Sequence, residues 1–276
     1  MMPQSARLRL CCWGAMLAAV FAVAAVAADT GSAKQNPKGL DLRLVNTPWT
    51  GDLDGMIKRR MIRALVVYSK TFYFVDKGTQ RGASYDALRA FEDDLNKKLK
   101  TRHLAVHVVF VPVHRDQLLP ALRDGLGDIA AASLTITPER QKHVDFSVPE
   151  VSGVSELVVT GPGAPAIRST EDLAGKEVFV RKSSSYFESL TRLNQTLRRT
   201  GKPEVKLKPV PEQLEDDDLL EMVNAGLIPI TIVDSYEAAF WAQIFKNIKV
   251  HQDVAVNSGG DIAWAFRQGS PCDITT

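Results

Sequence analysis

A two-lobed α/β fold, each lobe a doubly wound sheet with flanking helices, is the architecture this sequence predicts. Three observations carry it. Short apolar runs alternate with amphipathic stretches through most of residues 60–268, the pattern of strand, helix, strand. A break in composition at GPGAP, residues 161–165, divides that alternation in two, and the chain has 276 residues with 45% hydrophobic content, enough for two modest cores.

The first 28 residues read as a secretory signal peptide. Arg7 and Arg9 precede an apolar run from Cys11 to Val26, and Ala25-Val26-Ala27 forms a small-x-small cleavage site. The run is shorter than the ~20 residues that span a bilayer, so export is expected over anchoring. Residues 29–55 are polar, rich in Gly, Pro, Asp and Asn, and are expected to form a flexible arm. With the leader go two basic residues of 34, which brings Lys plus Arg level with the 32 Asp plus Glu. No basic stripe then argues for nucleic acid. Cys272 is the one thiol left after the leader, so an internal disulfide is excluded.

Structure is expected to begin near Met56. A short strand over Ala64–Tyr68 leads to a loop, Ser69–Ser84, and a helix with Leu88, Phe91, Leu95 and Leu99 on one face. Leu104–Val113 is almost wholly apolar and reads as a strand buried on both faces. A helix over Asp116–Asp124 precedes GLGDIAAASLTITPERQKHVDFS, residues 125–147, which reads as a buried strand opening into a helix start. Thr137 is placed to cap and Pro138 to occupy the first turn. Ser155–Thr160 is a strand. Beyond the GPGAP break come a strand at Glu177–Arg181, a helix opening at Ser183–Ser185, a strand at Val205–Val210 and a helix at Asp216–Ala225. A strand at Ile230–Val233 and a helix at Ser235–Phe245 follow, and two strands, Ile248–Gln252 and Ile262–Phe266, close the chain. Lobe 1 is therefore expected over 56–157 with 253–276, and lobe 2 over 158–252.

In such sheets small ligands lie beyond the carboxyl ends of strands, beside helix starts. Four places qualify. Ser133, Thr135 and Arg140 suit a carboxylate, because guanidinium is a planar, permanently charged fork; a lone Arg in a surface ion pair is the commoner case. Ser183, Ser184 and Ser185, beside Arg181 and Lys182, offer successive helix-start amides to the same anion, or form a plain serine cap. Asp234 follows an apolar strand and precedes a helix, fit for a ligand ammonium or simply for an N-cap. Tyr73, Phe74 and Tyr85 offer stacking surfaces, although aromatic residues are more often core.

Nothing catalytic stands out. His103, His107, His114, His143 and His251 lack metal-ligand spacing, no nucleophile elbow or phosphate-cradling Gly-rich loop occurs, and no cofactor is expected. The acidic run Glu215–Asp218 reads as a solvated helix start, suited to the helix dipole.

Three segments carry a family resemblance: GDIAAASLTITPERQKHVDFSVP, LAGKEVFVRKSSS and AGLIPITIVDS. Together they resemble the extracellular solute-binding proteins of family 3, the polar amino-acid-binding type, over most of residues 60–268. LLEMVNAGLIPITIVDS and DIAWAFRQGSP are more similar to the solute-binding-like half of the membrane-bound lytic transglycosylase F type, in which a catalytic module follows; the chain stops at Thr276 without one. The resemblance implies a type II periplasmic binding fold and a periplasmic module. It places the ligand's carboxylate on Arg140 with Ser133 and Thr135, the second-lobe anion contact on Ser184 or Ser185, and the ligand's ammonium on Asp234. SSS stands where the family has a Gly-Thr-Thr-like turn, and Pro229 interrupts the segment before the strand, so side-chain specificity does not carry over.

The expected ligand is an amino acid or a cell-wall peptide fragment, bound by hinge closure about Ser155–Thr160 and Val250–Ala255, for sensing rather than uptake. The expected protein is a monomer with a cell-wall or membrane-associated partner, and not an enzyme. Two alternatives stand beside this: a cyclohexadienyl dehydratase-like enzyme using Asp234 or Glu188, and a truncated lytic transglycosylase.

Overall fold

The computed structural model describes residues 45–101 and 103–270. The expected signal peptide, residues 29–44 of the expected arm, and Cys272 lie outside the described residues.

The strand β1, Met61–Val66, is buried at all six positions and forms the axis of the first lobe. Residues buried on both faces belong in a parallel sheet covered on both sides. β1 pairs in parallel with β4, His107–Pro112, and with β5, Ile129–Thr135. The helices α1, Leu53–Arg59, and α2, Ala83–Lys98, pack on one face, where Met56 and Leu88 join Ile62, Ala64 and Val66. The helix α3, Leu118–Arg123, covers the other with Leu118 and Leu122 against Leu65 and Ala130. A small hairpin, β2 (Phe74–Asp76) and β3 (Thr79–Arg81), lies in the stretch expected as a plain loop.

The second lobe repeats the plan. Strands β8 (Glu177–Arg181), β9 (Lys206–Val210) and β10 (Ile230–Asp234) alternate with helices α4 (Ser185–Arg199), α5 (Asp216–Asn224) and α6 (Ser235–Trp241). Val178, Val180, Ile230 and Ile232 pack against Tyr186, Leu190 and Leu197 of α4, while Val159 and Val233 face Leu219, Leu220 and Trp241. With β7 at Val151–Thr160 and β11 at Lys249–Arg267, all strands except the hairpin join one curled sheet in the order β4-β1-β5-β11-β7-β10-β8-β9, with β6, Val144–Phe146, on β11.

Two long antiparallel strands, β7 (Val151–Thr160) and β11 (Lys249–Arg267), hold the lobes together. The two closing strands expected at 248–252 and 262–266 are thus one. Its register on β7 shifts four times between His251 and Ile262. Such breaks in register bend a strand, which lets one element run through both lobes of the curled sheet.

Three expectations are corrected. Strand β4 is not buried on both faces: it is the sheet's edge, only Val108 is fully buried, and His107 is exposed. The helix start after Pro138 amounts to one 3₁₀ turn, Arg140–Lys142, although Thr137 does cap it through the Arg140 amide at 3.2 Å. Residues 45–55 are not a flexible arm. The Arg63 guanidinium, wholly buried beside β1, draws them in by donating to the carbonyls of Val45, Thr47 and Trp49 at 3.2, 2.9 and 3.3 Å. Trp49 packs its ring on Arg59 at 3.6 Å and bonds through its amide to the Gly125 carbonyl. Gly125 has φ 74°, and a Cβ there would stand 2.7 Å from the Trp49 carbonyl oxygen.

The counter-charge to Arg63 is Asp128, at 3.0 Å, which also accepts from the Arg63 amide and pairs with Arg59. Removing one partner of a buried pair leaves the other charged and dry, at a cost of about 3–5 kcal/mol. Asp128→Ala is therefore expected to lower the unfolding free energy by about that amount in urea titration; a loss under about 1 kcal/mol would show that Arg63 is satisfied by carbonyls alone.

Candidate functional site

Between the lobes the carboxyl ends of β5 and β10 meet the N-terminal ends of α4, α5 and α6. The enclosed cavity is lined by Ser133, Thr135 and Arg140 from the first lobe and by Arg181, Ser185 and Asp234 from the second, among others. Its free space is about 10 Å3, no more than one water requires, so the lobes are closed on their own side chains. A larger, mainly apolar hollow of about 170 Å3 shares Arg115 with it.

On the first lobe, Ser133 sits at φ 52°, a left-handed conformation rare for a residue with a Cβ, where β5 breaks register with β11. Its hydroxyl bonds to the Tyr236 hydroxyl across the cleft. Thr135 meets Ser185 across the same gap at 3.2 Å. Arg140 is buried, and its Nη1 and Nη2 donate to the carbonyls of Thr135 at 2.8 Å and Ser183 at 3.1 Å. Both acceptors are neutral, so the guanidinium forms no ion pair among the described residues. Burial lowers its pKa from the usual Arg value, opposed chiefly by the charge of Glu188.

On the second lobe, Ser184 is spent as an N-cap: it accepts from the Phe187 amide at 3.2 Å and donates to the Arg181 carbonyl at 2.7 Å. Asp234 occupies the N-cap position of α6, but its side chain makes no capping bond. Its Oδ1 is buried with no hydrogen-bond partner, as is Oε2 of Glu237 one turn on. Burial, then the charges of Asp216 and Glu156, push the Asp234 carboxyl up to about 8, against the opposing influence of Arg115 and the Tyr186 hydroxyl. Burial with Asp216 and Asp234 likewise raises Glu237 well above the carboxylate range.

Four expected residues, Ser133, Thr135, Arg140 and Asp234, thus line one cavity together with Ser184 and Ser185. Tyr73 and Tyr85 do not. Both pack on Phe110 inside the first lobe, with ring centroids 5.4 and 5.1 Å away, because β2 and β3 fold the loop back over β4.

The acidic run at 215–218 is a further correction. Glu215, Asp216 and Asp217 are buried, not solvated. Arg115, on the turn before α3, sends its Nε to both Glu215 carboxylate oxygens at 3.0 and 3.1 Å and its Nη1 to the Ala132 carbonyl at 2.8 Å. Burial alone would raise Glu215, but Arg115 and Arg181 hold it below its ordinary value. Arg181 reaches Asp216 at 2.6 Å, and the Tyr186 hydroxyl donates to the same carboxylate at 2.9 Å. Outside the cavity, Asp217 accepts from the Ser69 hydroxyl and the Lys70 amide, and Trp241 donates to Thr71 at 3.1 Å. Burial raises the Asp217 carboxyl to about 6.

A family description for bacterial extracellular solute-binding proteins, family 3, matches residues 66–239. The chain belongs to that family. Among relatives of this family 3 protein, membrane-bound lytic murein transglycosylase F of Ectopseudomonas mendocina is 32% identical over 209 residues, 75% of this chain and 39% of the relative. The enzyme of the same name from Yersinia pestis is 29% identical over 228 residues, 81% of this chain and 43% of the relative. The chain therefore spans about 40% of the length of these relatives. Solved structures with this fold include an ancestral arginine-binding protein bound to arginine, with TM-score 0.60 and 28% identity over 76% of this chain and 86% of that one. An ancestral amino acid-binding protein, a precursor of cyclohexadienyl dehydratase, has TM-score 0.59 and 28% identity over 79% and 86%. These neighbours share the two-lobed α/β fold of type II periplasmic binding proteins. Among the described residues no helix is long and apolar enough to cross a membrane, and no group of three His, Cys, Asp or Glu is arranged to hold a metal ion.

The Arg115–Glu215 pair spans the two lobes, so its loss is expected to open the cleft. Glu215→Ala should raise the radius of gyration in small-angle scattering, with a stability loss under about 2 kcal/mol because opening lets water reach Arg115. Unchanged scattering with a larger loss would mean that the latch at Asp217 and Trp241 suffices to hold the lobes shut.

Proposed function

We propose that this family 3 protein is a periplasmic binding module, not an enzyme, that closes its lobes over the α-carboxylate and α-ammonium of an amino acid or a cell-wall peptide fragment. The observation that carries the reading is the pairing of complementary unmet groups on opposite walls of one cavity. Arg140 faces it with neutral partners only, and Asp234 faces it with a buried, unpartnered oxygen. Thr135, Ser133 and Ser185, whose hydroxyls now bond across the cleft, would turn to the ligand, with Arg140 forming the charge-assisted fork. The Ser184 hydroxyl would remain a cap, leaving its neighbourhood to supply backbone amides. Since little free space exists in the closed form, entry requires hinge opening, for which the bulged β7–β11 pair is suited.

Amino acid-binding neighbours support this ligand class, and a sensing role is part of the same proposal. Export through residues 1–28, a monomeric state and a cell-wall or membrane-associated partner belong to the same reading.

Calorimetric titration of the purified protein with free amino acids and muropeptides tests it. Binding is expected, and Arg140→Ala should weaken it about a hundredfold; equal binding by the variant would remove Arg140 from the site.

The protonation of Asp234 adds a pH dependence. The closed protein holds this carboxyl neutral below about pH 8. An incoming ammonium favours the ionised form, so binding releases a proton, and affinity should rise with pH by up to about tenfold per unit from pH 6 to 8, then level off. Stability of the closed form runs the other way. A carboxyl raised above its unfolded value stabilises fully below about pH 4, and that contribution is lost as pH rises through 8. Titrations in buffers of different ionisation enthalpy would count the proton, and Asp234→Asn should flatten the slope.

A further inference from the structure

The charges around the cavity do not balance. Arg115 is matched by Glu215 and Arg181 by Asp216. Arg140, and Arg192 beside Glu156, are then left to meet Asp234, Glu237 and Glu156, two guanidiniums against three carboxyls. Strand register places Glu156 directly opposite Asp234 on the antiparallel β7–β10 pair. Side chains directly opposite share a face and lie roughly 5 Å apart, where like charges destabilise the sheet. Glu156 is 1% exposed and Glu237 2%. Neither oxygen of Glu156 has a hydrogen-bond partner, and Oε2 of Glu237 has none. The Tyr236 hydroxyl lies within 3.5 Å of Asp234 and 3.4 Å of Glu237, which joins the two carboxyls along one wall.

Three buried carboxyls with four unmet oxygens exceed what a single α-ammonium can satisfy. An ammonium has three donors, and Asp234 lines the cavity opposite Arg140. The donor set does not suit a metal ion, since no three of the described acidic or imidazole groups converge on one point. An organic cation with several directed N–H groups fits the geometry instead.

We propose that Glu237 and Glu156 form a second cation subsite beside Asp234, so that the ligand carries one carboxylate and two positive charges, as a basic amino acid does. The inference rests on the zwitterion reading above and adds the charge of the ligand's side chain to it. On binding, the α-ammonium takes Asp234 and the side-chain cation takes Glu237 and Glu156. The hydroxyls of Ser185 and Ser189, which oppose the burial-driven rise of Glu156, stay beside that carboxylate.

Arginine and citrulline separate the outcomes, because they have the same shape and the same α-groups and differ in side-chain charge. Titration of the full chain with each should show arginine binding at least about tenfold tighter, the worth of a charge-assisted hydrogen bond. Glu237→Gln and Glu156→Gln, which keep side-chain size and cannot ionise to meet a cation, should each reduce the arginine-to-citrulline affinity ratio about tenfold. Equal affinity for the two ligands, or a ratio unchanged in both variants, would overturn the second subsite and leave the zwitterion reading intact. Failure of both ligands, alongside failure of the other free amino acids and of muropeptides, would overturn the zwitterion reading and this inference with it.

Discussion

Charge taken out of water has to be met by other charge, and in this protein that requirement is concentrated where the lobes touch. Arg115 and Glu215 come from different lobes and are both nearly dry, so neither is satisfied unless the cleft is shut. Their pairing fixes the approach of α5 to β5 and thereby the position of every group lining the cavity. Attraction alone is a weak argument for stability, since the desolvation of a buried pair cancels much of it. Its structural consequence is sharper: an intermediate, half-open arrangement would leave one ion buried without its partner, which favours two discrete states over a continuum.

The same constraint shapes the first lobe by a different route. Arg63 is wholly buried and has more donors than Asp128 can accept, so the chain before α1 is recruited to supply carbonyls. A segment with no hydrophobic period is thereby ordered through its backbone. That explains how residues 45–55 escape a reading based on side-chain pattern, since the carbonyls that do the work are common to every residue type.

How far the sequence discloses the fold and the site follows from where each contact partner lies along the chain. Strands such as Glu177–Arg181 and helices such as the one carrying Leu190 and Leu197 are legible, because period and caps are local. The convergence of Ser133, Thr135, Arg140 and Asp234 on one cavity follows from the rule that strand carboxyl ends meet helix starts. Arg115, Glu156, Tyr236 and Glu237 have no such local mark. Arg115 finds Glu215 a hundred residues away, and Ser133 meets Tyr236 at a similar distance along the chain. The run at 215–218 looks like a solvated helix start because acidic residues favour that position whether or not water is present. Its one distinguishing feature lies elsewhere: Arg115 and Arg181 both follow apolar strands or turns at the cleft, as a buried acidic run requires. Tyr73 and Tyr85 illustrate the opposite error, since an aromatic side chain in a loop reads as available when the loop in fact folds back onto Phe110.

The unmet groups are distributed unevenly, and this bears on what the cleft is for. A structural polar core would be expected to close its hydrogen bonds internally, as the Arg63–Asp128 cluster does with carbonyls and a carboxylate. Around Asp234 the reverse holds: Ser133 bonds to Tyr236 and Thr135 to Ser185, hydroxyl to hydroxyl across the gap, while carboxyl oxygens of Asp234, Glu156 and Glu237 go unpartnered. Hydroxyls rotate, accept and donate, so they exchange partners at small cost, whereas an orphaned carboxyl oxygen retains a standing demand for a donor. Ser133 adds backbone strain at the same point, held by the register break between β5 and β11. Strain and exchangeable hydroxyls at the gap, with unmet acceptors on the second-lobe wall, are the properties of a cavity built to receive a donor from outside the chain, and the neutral partners of Arg140 on the first-lobe wall make the complementary case for an acceptor.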